Sequence, residues 1–147
     1  MGLDMYLTAK RYIYDFGDDG KALREKLEDL KVNGMEVKEI SYEAGYWRKA
    51  NHIHKWFVDN VQKGVDNCGE YLVLVEDLEK LLALVDEVLS HTKKAEELLP
   101  TSTGFFFGSA LYDEGYYDDL IHTKGIIENV LSIPDLRKYD LYYSSSW

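Results

Sequence analysis

Between Gly45 and Phe57 the chain reads Gly-Tyr-Trp-Arg-Lys-Ala-Asn-His-Ile-His-Lys-Trp-Phe. No other stretch gathers so many groups able to do chemistry. A flat indole such as Trp47 can stack on a nucleobase, and the Asn51 amide can pair with a base edge. Arg48, Lys49 and His54 can meet a phosphate. Base–aromatic stacking is worth roughly 1–3 kcal/mol per base, so one well-placed ring matters. If the segment is helical, a rotation of about 100° per residue sets Tyr46, Ala50, Ile53, Phe57 and Val61 on a core stripe. Arg48, His52, Lys55 and Asp59 then face outward, and Trp47, Asn51, His54 and Val58 form the border row, the wall a ligand would touch. A helix N-terminus just ahead of them favours anions. The same residues also fit plain packing, with Trp47 and Trp56 flanking a core and the bases solvated.

A second candidate is Thr101-Ser102-Thr103-Gly104-Phe105-Phe106-Phe107-Gly108-Ser109. Hydroxyls and backbone N–H groups at Thr103 and Gly104 suit a phosphate, and Phe105 offers a stacking face. A turn leading into a buried strand explains this stretch as well. A third is the acidic, Tyr-rich run with Tyr112, Asp113, Glu114, Tyr116, Tyr117, Asp118 and Asp119. It suits a helix start on dipole grounds, and also a Mg²⁺ site or a face for a basic protein partner.

Other arrangements read as unreactive. On a helix His52 and His54 point about 200° apart and cannot share one ion, so no metal is expected. Cys68, the single cysteine, precedes a strand-like run and reads as a small core hydrophobe rather than a nucleophile. No phosphate-binding glycine loop, dinucleotide fingerprint, zinc-protease motif or paired Cys-x-x-Cys occurs. No cofactor and no catalytic residue is assigned.

The elements that must position these groups follow from periodicity. A strand region covers Met1 to about Tyr14, and a helix runs from about Gly20 to Lys31 on a Leu23, Leu27, Leu30 stripe. Asn33-Gly34 closes it. Met35 to Tyr42 predicts a strand, Glu43-Ala44-Gly45 a turn, and Tyr46 to about Gln62 a helix. Glu70 to Val75 predicts a short buried strand. Leu78, Leu81, Leu82, Val85, Val88 and Leu89 predict a helix over about Glu76 to His91. Tyr116, Leu120, Ile127 and Leu131 predict another from about Glu114 to Ser132, with Gly125 weakening it by about 1 kcal/mol. Arg137 to Trp147 predicts a last strand. The expected fold is therefore one α+β domain, residues 1–147, whose small, mostly antiparallel sheet is covered by about four helices, with the first and last strands side by side.

The 147 residues carry 27 acidic against 17 basic side chains, a formal net charge of −10, with 46% hydrophobic and 30% charged residues. That balance fits a globular domain and argues against binding polymeric nucleic acid, which needs a basic face. No apolar run approaches the ~18 residues of a membrane span, and the N-terminus lacks the basic region of a signal peptide. One cysteine fits a reducing cytoplasm.

Three stretches carry a family resemblance: Met1-Gly2-Leu3-Asp4-Met5-Tyr6-Leu7, Gly45 to Asn51 with Trp56-Phe57-Val58, and Leu99 to Ser109 with Tyr112-Asp113-Glu114. Together they resemble a widespread family of short bacteriophage and prophage proteins. Through that family the chain looks like the phage anti-CBASS sponges, which bind cyclic oligonucleotide immune signals such as 3′,3′-cyclic GMP-AMP without cleaving them. The resemblance implies a cytoplasmic homo-oligomer, a tetramer, with cyclic dinucleotides in shared pockets. It implies no particular site residues. The ligand-binding set Tyr46, Trp47, Arg48, Lys49, Asn51, His54, Thr103, Gly104 and Phe105 comes from the residue chemistry above. Two other functions fit the sequence: a protein–protein inhibitor working through the acidic Tyr-rich face, and a Mg-dependent nucleotide hydrolase.

Overall fold

In β1, Asp4–Tyr12, side chains alternate strictly, so Met5, Leu7 and Ala9 are buried while Tyr6, Thr8 and Lys10 face the other way. This strand is the centre of the computed structural model, which describes residues 2–104 and 106–147. β1 pairs antiparallel with β2, Glu39–Arg48, on one side and with β4, Asp140–Ser146, on the other. β3, Tyr71–Val73, adds to β4, giving a four-stranded antiparallel sheet of order β2-β1-β4-β3. The first and last strands are neighbours, as the sequence predicts.

The buried sheet face carries three main helices. They are α2, Asn51–Asn60, α3, Val75–Ser90, and α5, Glu114–Leu131. α3 buries Leu78, Leu81, Val85 and Val88. α5 buries Tyr116, Leu120, Thr123, Ile127 and Val130. Both stripes follow the predicted three- and four-residue spacing, although Leu82, Leu89 and Leu131 are only half-buried and Thr123 and Val130 join the α5 stripe. With the short α1, Gly17–Lys26, and α4, Ala95–Leu98, the architecture is a single α+β domain.

Several elements differ from the sequence reading. α1 starts earlier than predicted, gives way to a 3-10 turn at Glu28–Leu30, and buries none of its residues. The predicted strand over 35–42 and turn over 43–45 are replaced by one continuous strand to Arg48. Glu43 and Gly45 pair with Thr8 and Leu7, and Ala44 is the extra residue of a β-bulge. Gly45 serves close packing rather than a turn: a Cβ there would lie 2.6 Å from Ile126 Cγ2 on α5. β3 is an edge strand with only Val73 buried, since Leu72 is 52% exposed. Cys68 is exposed rather than core, at φ 57° in a loop. The described residues of the Phe-rich run form no strand: Phe106 is exposed and Phe107 is buried, and Phe105 lies outside the described residues. No helix among the described residues is long and apolar enough to cross a membrane.

Candidate functional site

The chain passes from strand to helix within two residues. Lys49 takes the left-handed conformation, φ 59°. Ala50 sits at φ −79°, ψ 70°, an inverse γ-turn closed by a 2.9 Å hydrogen bond from Asn51 N–H to Lys49 O. Lys49 N–H donates to Leu3 O across 2.7 Å, which pins the corner to the start of β1. The loop after the Phe run presses onto the same corner. A Cβ on Gly108 would lie 3.0 Å from Lys49 Cβ, and Gly108 itself has φ 90°.

Asn51 fastens that loop. Its Nδ2 donates to the carbonyls of Phe107, 3.1 Å, and Ser109, 2.8 Å, and its Oδ1 accepts from Ser102 N–H, 2.9 Å. Its buried amide is fully engaged, so Asn51 positions the loop and cannot read a base edge. α5 closes the third side. Asp113 is its N-cap and accepts from Tyr116 N–H, 3.2 Å. Tyr116 is buried and donates its hydroxyl proton to Leu99 O, 2.8 Å.

Between these pieces lies a cleft of about 250 Å³. Arg48 and Lys49 come from the corner, Ser109 from the loop, and Asp113, Gly115 and Asp119 from the first turns of α5. His52 and Tyr116 also line it, their rings 4.2 Å apart.

The groups of the cleft are unevenly satisfied. Arg48 is largely exposed, and its guanidinium comes no nearer than 4.0 Å to Asp4. Lys49 makes no ion pair among the described residues. Asp119 is partly buried, and no other described residue hydrogen bonds to its carboxylate; desolvation pushes its pKa up to about 6. His52 is 3% exposed, and its Nε2 is, among the described residues, one of three buried side-chain atoms without a partner, beside Gln62 Oε1 and Ser145 Oγ. Of these, His52 alone belongs to the cleft. Burial lowers its pKa to about 4, which keeps the ring neutral.

The structure redistributes the predicted ligand set. Arg48 and Lys49 stand in the cleft. Tyr46 lies on the outer sheet face, where its hydroxyl donates to Asp4 and its ring meets Tyr6. Trp47 is 2% exposed and points into the core, so it offers no stacking face. The cause is phase. Residues 46–48 belong to a strand, where neighbours face opposite sides, and not to a helix. His54 is buried between the Tyr143 hydroxyl, 2.7 Å, and Asp66, 2.9 Å. Thr103 and Gly104 are exposed outside the cleft, and Gly104 is required by the Phe107 ring, which would lie 2.6 Å from a Cβ. Phe105 falls outside the described residues.

His52, assigned by helical phase to the solvent face, instead lies on the cleft floor because α5 packs over it. The acidic Tyr-rich run does not form one surface: Tyr116 is buried, while Asp113 and Asp119 enter the cleft. Its acids and the helix-start signal were visible in the sequence; their approach to Arg48 was not. Among the described residues no three His, Cys, Asp or Glu groups converge as a metal site would require.

No protein-family model matches the chain, and no curated protein or solved structure matches it.

Proposed function

We propose that this protein binds and sequesters an anionic nucleotide in the cleft between the β2–α2 corner and α5. The ligand class is a cyclic oligonucleotide immune signal such as 3′,3′-cyclic GMP-AMP, held without cleavage. The setting is phage counter-defence in the cytoplasm of the infected bacterium. The observation that carries the binding reading is the pairing of two cations, Lys49 with no ion pair among the described residues and Arg48 with only a 4.0 Å ion pair to Asp4, with unsatisfied polar groups in one concavity. Arg suits a phosphate through its planar fork, and Lys through its point charge. Left-handed backbone at a non-glycine residue costs of order 1–3 kcal/mol and clusters at ligand sites, and Lys49 carries such a conformation at the cleft.

A volume of about 250 Å³ falls just below the usual range for drug-sized ligands, roughly 300–1,000 Å³. One cleft therefore suits a single nucleotide unit, and a cyclic dinucleotide is shared between two copies. The phage setting, the cyclic ligand and the homo-oligomer rest on the resemblance.

Isothermal titration against cyclic di- and trinucleotides tests this reading. Tight binding is expected, with intact ligand recovered by chromatography after heat release. Arg48→Ala and Lys49→Ala each weaken binding by roughly 10- to 100-fold, the worth of a charge-assisted hydrogen bond. Binding unchanged in both variants removes the cleft, a degraded ligand means turnover, and no binding to any nucleotide removes the reading.

A further inference from the structure

The cleft is asymmetric in what it leaves unsatisfied. On the corner wall the groups are donors: Lys49, without an ion pair among the described residues, and Arg48, held only by a 4.0 Å ion pair to Asp4. On the α5 wall the groups are acceptors, the Asp119 carboxylate, unpaired among the described residues, and Asp113, whose Oδ1 caps the helix, and beneath lies the neutral ring of His52 with its Nε2 unpartnered. An anion alone would be repelled by Asp119. A ligand that satisfies both walls carries negative charge at one end and N–H donors at the other.

We infer that the base in this cleft is guanine, its N1–H and 2-amino group donating to the two oxygens of Asp119 while its phosphate faces Arg48 and Lys49. This inference rests on the nucleotide reading and narrows it. The chemistry discriminates because guanine alone among the common bases presents two adjacent donors that match a carboxylate. Adenine would set its N1 lone pair against a carboxylate oxygen and leave one acceptor unmet. An unpaired, partly desolvated carboxylate gains most from two donors, since its water has already been stripped in part. The adjacent Asp118 lies outside the cleft and serves as the control position.

The test is titration of the full-length protein with cyclic di-GMP, cyclic di-AMP and cyclic di-IMP. Cyclic di-IMP keeps N1–H and lacks the 2-amino group. Expected is cyclic di-GMP binding roughly 10- to 100-fold tighter than cyclic di-AMP, the discrimination of one bidentate pair, with cyclic di-IMP between them. Asp119→Asn, whose amide offers one donor and one acceptor, narrows the guanine–adenine ratio, while Asp118→Asn preserves it. Circular dichroism establishes that both variants fold. Equal binding of guanine and adenine ligands, or an unchanged ratio in Asp119→Asn, overturns the guanine assignment and leaves nucleotide binding standing. Failure of all three ligands to bind overturns the guanine assignment, and the nucleotide reading falls with it when the wider panel of cyclic di- and trinucleotides also fails to bind.

Discussion

The Trp47 indole donates its Nε1 proton to Thr123 Oγ1 across 2.8 Å, joining β2 to α5 inside the core. Thr123 in turn donates to the carbonyl of Asp119, 2.6 Å, one turn earlier in the helix. The ring also packs against Phe57, with centroids 6.0 Å apart. Trp47 is thus a structural residue that indirectly holds the stretch of α5 bearing Asp119. Trp47→Ala is expected to cost about 3–5 kcal/mol of stability. Trp47→Phe keeps most of the packing, leaves Thr123 Oγ1 without its indole donor and costs about 1–3 kcal/mol. Urea denaturation reads both. Loss of nucleotide affinity in a folded Trp47→Phe, with stability unchanged, would mean the indole touches ligand after all.

Asn51→Ala removes three hydrogen bonds that fasten residues 102–109 to the head of α2. Each buried group left unpaired costs about 1–3 kcal/mol. Hydrogen exchange should show lost protection at Ser102, alongside a lower unfolding midpoint. Asn51→Asp presents an oxygen to two carbonyls and should be worse than Asn51→Ala.

Gly45→Ala forces a Cβ to within 2.6 Å of Ile126 and should cost about 1–3 kcal/mol through overpacking. Ile126→Ala in the same chain should recover part of that loss. A double-mutant cycle with no coupling between the two positions would refute the close approach.

Acid affects His52 and Asp119, which both line the cleft, in opposite senses. His52 is neutral in the fold down to about pH 4, whereas in the unfolded chain it gains a proton near 6.5. Its contribution is present above pH 6.5 and is lost as the pH falls toward 4. Asp119 is raised from 3.8 to about 6, so the fold holds its proton more tightly than the unfolded chain does. Its contribution is full below pH 3.8 and is lost as the pH rises through 6. His52→Gln should therefore remove part of the acid destabilisation between pH 6.5 and 4. Asp119→Asn should raise stability at pH 7, on the order of 1 kcal/mol after discounting for the partly exposed carboxyl, and have little effect at pH 4. Thermal unfolding at both pH values checks the signs.

The sequence by itself determined α3 and α5, because their apolar residues recur at three and four positions and one buried stripe suffices to fix a helix. It also determined the strand character of both chain ends and marked the Gly45–Phe57 region as the place to look. Tertiary structure decided where β2 stops. No glycine or proline marks that boundary; Lys49 is held left-handed by Leu3 and the Gly108 loop, contacts distant in sequence. That boundary sets the phase of everything around it. Moving it from 46 to 51 turns Trp47 from a ligand wall into core. Packing of α5 then takes His52 from solvent to the cleft floor and sets Asp119 into the same cleft as Arg48. Local propensity cannot encode such placements, since strand and helix alternatives for these residues differ only in which distant surfaces they bury.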